Sequence, residues 1–268
     1  MTKTIGIIGC GWLGLPLAKS LKAEGYSIFG TTTSKDKLSL LKKEGLQAFQ
    51  IELSDSEIKG PITDFLNSCE TLIVNVPPKL RGPGPNASYV GKMQRLLEQL
   101  QNSRISHVVF VSSTSVYSDA QGTVTEETIP KPTSESGKQL LQCEQLFKKN
   151  NKIKTTIVRF GGLIGPDRHP ITILSGKENL KDGNAPVNLI HLNDCILIVK
   201  EIINQRQWGK TYNAVHPAHP IKRDYYTQKA IEKRLEPPNY SSSLPKKYKI
   251  INFCSVFLTK ISINFTSL

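Results

Sequence analysis

Three glycines near the start of the chain have the spacing of a phosphate-binding turn. Residues 4–18 read Thr-Ile-Gly-Ile-Ile-Gly-Cys-Gly-Trp-Leu-Gly-Leu-Pro-Leu-Ala and contain the pattern Gly9-x-Gly11-x-x-Gly14. In this pattern the first glycine allows a tight turn, the second lets a pyrophosphate approach the backbone, and the third lets helix and strand pack closely. The N–H groups at the start of the following helix favour phosphate. The turn therefore predicts a dinucleotide site that includes Trp12 and Leu13.

The residues that distinguish NAD from NADP are expected about 20 residues after the glycines, where an NAD-selective fold carries an acidic residue for the ribose 2′-hydroxyl. Residues 30–37 instead read Gly-Thr-Thr-Thr-Ser-Lys-Asp-Lys. Hydroxyl and ammonium groups suit a 2′-phosphate through charge-assisted hydrogen bonds. We therefore predict NADP, with NAD left open by Asp36, and expect it to contact Thr32, Thr33, Ser34 and Lys37. The same residues also fit a helix cap followed by exposed lysines.

Cysteine and histidine residues do not predict a metal site. The five cysteines are odd in number, scattered and without Cys-x-x-Cys spacing, which is typical of buried thiols in a reducing compartment. His216 and His219 lie beside prolines and have no nearby cysteine or aspartate to complete a ligand set. We expect no bound metal.

Charge and hydropathy limit the partners that we expect. The net charge is +13 over 268 residues, and residues 201–268 carry 11 basic and 4 acidic side chains. This excess fits a basic mouth for a phosphorylated ligand or an exposed lysine-rich surface. Nucleic-acid motifs and interleaved aromatic and basic residues are missing, so we do not expect a nucleic-acid partner.

Glycines and Pro16 interrupt the apolar start of the chain, which argues against a secretory signal. No stretch reaches the roughly 18 apolar residues of a membrane helix, and we predict a cytoplasmic protein.

The elements around these residues alternate between strand and helix. The apolar run Ile5–Ile8 predicts a buried strand, and Leu13, Leu17 and Leu21 recur at helical spacing after it. Further strands are predicted at 26–31, 47–53, 72–76, 107–111 and 155–159, with helices at 34–44, 89–100, 195–204 and 222–234. This order predicts an α/β protein with a doubly wound parallel sheet. Val76 and Pro77 end the fourth strand and should lie over the cofactor.

We expect residues 1–163 to form a Rossmann-type dinucleotide-binding core. Residues 164–268 should be mixed: 187–215 complete the core, whereas 164–186 and 216–268 form a small substrate lobe. The apolar residues from Phe253 onward suggest a short helix, followed by a strand over 261–265. Residues 79–88, rich in glycine and proline, are predicted to be a loop.

Several longer stretches resemble the extended short-chain dehydrogenase/reductases, the group that holds the NAD-dependent sugar epimerases and dehydratases. The resemblance covers most of the chain. Besides the glycine turn and Glu126 before Pro130, it is carried by three stretches: Val-Ser-Ser-Thr-Ser-Val-Tyr at 111–117, Arg-Phe-Gly-Gly-Leu-Ile-Gly-Pro at 159–166 and Asn-Leu-Ile-His-Leu-Asn-Asp at 188–194.

The resemblance implies roles for individual residues. Ser113 would orient the carbonyl or alcohol of a substrate, next to Ser112 on the cofactor side. Phe160 and Gly161 would lie near the nicotinamide. Tyr117 and Arg168 would lie on the substrate side, although Arg168 also fits an exposed loop.

The chain departs from the family at its catalytic Tyr-x-x-x-Lys. Residues 133–144 read Thr-Ser-Glu-Ser-Gly-Lys-Gln-Leu-Leu-Gln-Cys-Glu, without a tyrosine. If the downstream Leu-x-x-Glu sets the register, the pair becomes Ser136 and Leu140; if the lysine sets it, the pair becomes Ser134 and Lys138. A serine hydroxyl lacks the acidity of a phenol beside an ammonium group. Ser136 and Lys138 remain the candidates for proton transfer. The glycine turn also differs from the group's usual Gly-x-x-Gly-x-x-Gly.

Two functions follow from these patterns. The first is an NADP-linked oxidoreductase or epimerase for a small polar, nucleotide-linked or phosphorylated substrate. The second is a catalytically inactive protein that senses the dinucleotide and acts through a partner, which the missing tyrosine and the basic C-terminal quarter favour. We prefer the enzyme, expect a small-molecule substrate as partner, and leave a homodimer open.

Overall fold

The computed structural model describes residues 3–78, 88–241, 247–253 and 265–268. The larger strands are β1 (Thr4–Ile8), β2 (Ser27–Thr32), β3 (Gln47–Gln50), β6 (Thr71–Val74), β7 (His107–Ser113), β9 (Lys154–Phe160) and β12 (Thr211–Ala214). The helices are α1 (Gly14–Ala23), α2 (Lys35–Lys43), α3 (Ile62–Asn67), α4 (Tyr89–Leu100), α5 (Glu135–Lys149), α6 (Ile171–Leu174), α7 (Leu192–Asn204) and α8 (Lys222–Glu232). Shorter strands are β4 (Glu52–Leu53), β5 (Ile58–Lys59), β8 (Gly122–Val124), β10 (Gly162–Ile164), β11 (Leu189–His191) and β13 (Lys249–Ile251).

Among the described residues, seven strands form one sheet in the order β12-β9-β7-β6-β1-β2-β3. Strand β1 pairs in parallel with both β2 and β6, and the β2–β3 and β6–β7 pairs are parallel as well. The chain builds outward from β1 to β3 and then returns to the other side of β1 with β6. Ligands of such sheets bind outside the carboxyl ends of the strands at this reversal. The predicted doubly wound parallel sheet is confirmed.

Strand β1 is buried because it lies in the middle of the sheet. Ile5, Ile7 and Ile8 are at most 2% exposed, as expected for a parallel strand that is covered on both faces. Helix α1 buries Leu17, Ala18 and Leu21 on one side. The sequence pattern of strand, glycine turn and amphipathic helix therefore folds as predicted.

Two predicted elements differ from the structure. The strand predicted over 47–53 ends at Gln50, and β4 pairs antiparallel with β5 instead of extending it. The hydroxyl of Ser54 closes that hairpin by accepting from the Glu57 N–H at 2.9 Å. Helix α7 starts at Leu192 rather than Cys195. Asp194 consequently lies inside the first turn of α7, where its Oδ1 accepts hydrogen bonds from the N–H and hydroxyl of Thr266.

The predicted loop at 79–88 and the predicted helix and strand of the tail fall mainly outside the described residues. The chain divides into two compact units whose segments interleave along the sequence. The first comprises residues 1–113, 134–159 and 196–211, and the second comprises 114–133, 160–195 and 212–268. The second unit has its own apolar core, which includes Ile164, Ile171, Val187, Leu189, Tyr225, Tyr226 and Ala230.

Candidate functional site

The first and third glycines of the turn are required by the protein itself. Gly9 has a φ of +98°, and a Cβ added to it would lie 2.5 Å from the carbonyl oxygen of Asn75. A Cβ added to Gly14 would lie 2.2 Å from the carbonyl oxygen of Gly9. A side chain at either position would therefore break the turn or its packing against β6.

Gly11 is different, because neither backbone conformation nor packing explains it. It is exposed, its φ lies outside the left-handed region, and a Cβ added there would have no neighbour within 4 Å. Helix α1 begins just beyond it, and Leu13 at its N-cap gives no side-chain cap. A pyrophosphate against the backbone would fill this space and use the helix N-terminus. The residues present therefore fit a dinucleotide.

The end of β2 presents the residues predicted to distinguish NADP from NAD. Thr32 is buried, and its Oγ1 accepts from the Ser34 N–H at 3.3 Å, so this hydroxyl is already engaged. Thr33 and Lys37 are exposed, and half-buried Ser34 is the N-cap of α2 without a side-chain cap bond. Asp36 is exposed in the first turn of the same helix.

Hydrogen bonds fix the end of β6 beside the glycine turn. The Asn75 Nδ2 donates to the carbonyl oxygen of Gly9 at 3.0 Å. The hydroxyl of buried Tyr89 donates to the carbonyl oxygen of Val76 at 2.8 Å, and burial raises the pKa of that phenol. The Tyr89 N–H in turn donates to the Gln139 side chain. Val76 and exposed Pro77 are thus held between the turn and α4.

A buried ion pair lies under the end of β7. The Arg159 guanidinium contacts both oxygens of Glu144, with Nη2 at 2.6 Å from Oε2, and both side chains are about 95% or more buried. The hydroxyl of Ser112 donates to Oε1 of Glu144 at 2.6 Å. The side chain of Ser112 is therefore committed to this network. Half-buried Ser113 follows it as the last residue of β7, and its side chain points to the other face of the strand.

The burial pattern along α5 distinguishes the two ways of aligning this chain with the family's Tyr-x-x-x-Lys. Ser136, Leu140 and Glu144 follow one another at a spacing of four, which places them on one side of the helix. Leu140 is 3% exposed and Glu144 is 2% exposed, so this side faces the core. Lys138 lies on the exposed side. The geometry therefore brings Ser136, but not Lys138, to the face that Ser112 contacts.

The remaining predicted residues belong to the second unit. Phe160 is buried, and a Cβ on Gly161 would lie 2.7 Å from the carbonyl oxygen of Asn188, so packing alone requires this glycine. Tyr117 is 1% exposed and its hydroxyl bonds to the Thr125 carbonyl oxygen and to Asn213. Arg168 is exposed in a short turn closed by backbone bonds with Gly165. These surroundings favour a packing role for Tyr117, and a substrate role for either residue stays a prediction.

A cavity of about 260 Å³ opens in the second unit and is lined by three lysines. Lys222 and Tyr226 reach it from one face of α8. Lys249 reaches it from the start of β13, and Lys247 lies two residues before that strand. The Lys249 ammonium lies 2.5 Å from the Tyr117 carbonyl oxygen and 3.4 Å from Asp119 Oδ1. Asp182 is the other acidic side chain of the lining. The cavity therefore carries a net positive charge.

Other reactive groups are limited in the part of the chain that the structure describes. No group of three or more histidine, cysteine or acidic side chains is arranged to hold a metal there. Burial raises the pKa of the Cys10, Cys69 and Cys143 thiols to about 12, so these cysteines are not thiolates at neutral pH. Among the same residues, no helix combines the length and apolar character needed to span a membrane.

Sequence reasoning missed the residues that brace the glycine turn. The sequence pattern predicts a strand position for Thr31 and no further role, yet its Oγ1 accepts from the Gly9 N–H at 3.1 Å. The same holds for Asn75, whose Nδ2 donates to the Gly9 carbonyl oxygen. A polar residue inside the apolar run 72–76 was the available signal for it. The Oδ2 of Asp55 accepts from the Ser88 N–H at 2.8 Å, where α4 begins.

Comparison with known proteins agrees with this geometry. The family described as NAD(P)H-binding matches residues 9–190. Protein YeeZ of Escherichia coli (strain K12) is 36% identical over 252 residues, which cover 93% of this chain and 91% of YeeZ. An uncharacterized UDP-glucose epimerase of Bacillus subtilis (strain 168), YtcB, is 29% identical over 141 residues, or 47% of this chain and 45% of YtcB.

A solved structure extends the likeness to the fold. The UDP-glucuronic acid 4-epimerase of Bacillus cereus, in complex with NAD, superimposes with a TM-score of 0.75 at 19% identity. The match covers 93% of this chain and 88% of that enzyme. This chain therefore belongs to the NAD(P)H-binding family, and its fold is similar to that of an NAD-dependent sugar-nucleotide epimerase, in agreement with the predicted resemblance.

Proposed function

We propose that the protein is an NADP-linked oxidoreductase or epimerase that acts on a small, polar, anionic substrate. The observation that carries the proposal is the open position at Gly11, where neither packing nor backbone conformation requires a glycine and a bound pyrophosphate would. A bound nicotinamide supplies the hydride donor or acceptor. The chain's own residues bind the dinucleotide and orient the substrate.

The preference for NADP is supported by the groups at the start of α2. Thr33 and Ser34 offer hydroxyls, Lys37 offers a cation, and the helix N-terminus adds a positive dipole end. Isothermal titration should give an NADP dissociation constant about tenfold or more below that of NAD. Lys37→Gln should narrow this difference, whereas Lys43→Gln at the far end of α2 should leave it unchanged. Equal affinities for both dinucleotides would contradict the assignment.

Substrate orientation is assigned to Ser113, at the end of β7, and to Ser136, in the first turn of α5. Their hydroxyls can hold a carbonyl or alcohol oxygen, although neither has the acidity of a phenol. NADPH oxidation should be followed over a panel of carbonyl compounds, and product stereochemistry over a panel of nucleotide-linked sugars, because an epimerase returns the cofactor to its starting oxidation state. Ser113→Ala and Ser136→Ala should lower turnover by about 10² or more, with Ser106→Ala as the matched control. If Lys138→Ala lowers turnover and Ser136→Ala does not, the alternative register, with Ser134 and Lys138 as the pair, is favoured.

An anionic substrate is supported by the lysine-lined cavity of the second unit. Lys222 and Lys247 form no ion pair with any described residue. The Lys249 ammonium does contact a carboxylate, that of Asp119, but at 3.4 Å from its Oδ1 this is a long ion pair. Carbonyl compounds with a phosphate or carboxylate group should therefore be preferred over neutral analogues in the same panel. Lys222→Gln should reduce that preference, whereas Lys233→Gln, at the exposed C-cap of the same helix, should not.

A second function, a dinucleotide sensor without turnover, is favoured by one observation. In the register that pairs Ser136 with Leu140, a leucine replaces the lysine that would lower the pKa of the family's catalytic phenol. Tight NADP binding combined with no turnover over the whole panel would favour the sensor. Turnover that depends on Ser113 would exclude it.

A further inference from the structure

We infer that Thr31 and Asn75 are positioning residues that set the affinity for the dinucleotide by holding Gly9 from both sides. Neither residue is expected to touch the cofactor. The inference rests on the dinucleotide binding in the proposed function, and it adds the two side chains that prepare the turn for it.

Thr31 holds the N–H side of the turn from β2. It is 2% exposed, and its Oγ1 accepts from the Gly9 N–H at 3.1 Å. Its backbone carbonyl accepts from the next N–H, that of Cys10, at 3.0 Å. Two successive N–H groups of the turn are thus bound to a single residue.

Asn75, the residue that directly follows β6, holds the carbonyl side of the turn. Its Nδ2 donates to the Gly9 oxygen at 3.0 Å, and the same oxygen accepts from the Gly11 N–H at 2.9 Å. That oxygen is also the atom that a Cβ on Gly14 would approach to 2.2 Å. The orientation of one peptide group therefore controls the turn, the start of α1 and the backbone that leads into the open position at Gly11.

Losing either brace should weaken binding more than it weakens the fold. Without the bond, the Gly9 peptide can rotate in the free protein, and it must be ordered again when the dinucleotide binds. A single neutral hydrogen bond of this kind corresponds to about a fivefold change in the dissociation constant. Because both bonds hold one peptide, the loss in the double variant should be smaller than the product of the single losses.

The test is isothermal titration of the full chain with NADP, alongside the melting temperature of each ligand-free variant. Thr31→Val keeps the shape and removes the hydroxyl, Thr31→Ser keeps the hydroxyl, and Asn75→Ala removes the other brace. Thr155→Val is the matched control, since it removes a buried hydroxyl of the same unit that donates to the Phe147 carbonyl oxygen. Asn75→Ala also keeps the test decisive if Thr31→Val fails to fold.

We expect the NADP dissociation constant to rise about fivefold in Thr31→Val and in Asn75→Ala. The dissociation constant should stay near the wild-type value in Thr31→Ser and in Thr155→Val, even if Thr155→Val has a lower melting temperature. Unchanged affinity in Thr31→Val and Asn75→Ala, while the wild type binds NADP, would overturn this inference alone. A wild type that binds neither NADP nor NAD would overturn the proposed function and this inference with it.

Discussion

His169 shows how a single side chain of the second unit is held in one protonation state. Its Nδ1 accepts from the Ile171 N–H at 3.1 Å, so the ring proton lies on Nε2, 3.0 Å from the Tyr225 hydroxyl. Burial, followed by the charges of Lys233 and Lys229, lowers the pKa of His169 to about 4, from 6.5. The folded protein therefore favours the neutral ring.

This shift predicts a loss of stability in acid. The unfolded chain binds a proton at His169 near pH 6.5, whereas the folded chain does so only near pH 4. The contribution of His169 is thus fully present above pH 6.5 and is lost as the pH falls from 6.5 to 4. Melting temperatures in this range should fall less steeply for His169→Gln than for the wild type.

Thr172→Val is the matched control, because it removes a side chain without a titratable group whose hydroxyl donates to the His169 carbonyl oxygen at 2.8 Å. It should change the melting temperature by a similar amount at every pH. Burial also lowers the pKa of His107 and of His216, so some slope should remain without His169. Parallel curves for His169→Gln and the wild type would contradict the assignment.

At the scale of elements, one side of α5 both packs in the core of the first unit and carries a residue of the predicted site. Its core side carries Leu140, Glu144 and Phe147, and Glu144 pairs with Arg159 of β9. The same side carries Ser136 in its first turn. A change on this side should disturb the fold, and a change on the other side should not.

Leu140→Ala should therefore lower the free energy of unfolding by about 2–4 kcal/mol, through lost burial and a cavity. Lys138→Ala, on the exposed side, should stay within about 0.5 kcal/mol of the wild type. Urea unfolding followed by circular dichroism measures both variants. Equal destabilisation by the two would show that the register assigned to α5 is wrong.

The sequence predicted those elements whose pattern is local. Strand β1, the glycine turn, α1 and helix α4 at 89–100 follow from consecutive residues and match the structure closely. The hairpin β4–β5 was missed because Ile51–Leu53 is apolar enough to continue a strand. The hairpin forms because the Ser54 hydroxyl closes the turn and because Glu52 and Leu53 pair with Lys59 and Ile58. The apolar pattern of the sequence contains no signal for either interaction.

The candidate site could be predicted only in part, for a similar reason. Gly11 was found from spacing alone, but the partners of Gly9 are 22 and 66 residues away in sequence. Glu144 and Arg159 look like surface residues in the sequence. They form a buried pair only because α5 and β9 bring them together, so no local pattern could reveal them.

At the scale of the whole molecule, the basic charge has a partial explanation. Residues 201–268 carry most of the excess, and three of their lysines line the cavity of the second unit. The glycine turn and its braces belong to the first unit. Each unit therefore contributes one anion-binding feature, the first for a dinucleotide and the second, in our proposal, for a substrate.

The central claim is that the open position at Gly11 exists for a dinucleotide, and titration of NADP into Gly11→Val tests it most directly. The space around Gly11 is empty and its φ is ordinary, so this variant should fold and melt near the wild-type temperature. Its NADP affinity should fall by about tenfold or more, since the new side chain occupies the place of the pyrophosphate. Gly14→Ala, the control, should instead lose stability, because its Cβ meets the Gly9 oxygen. A stable Gly11→Val that binds NADP as tightly as the wild type would contradict the account.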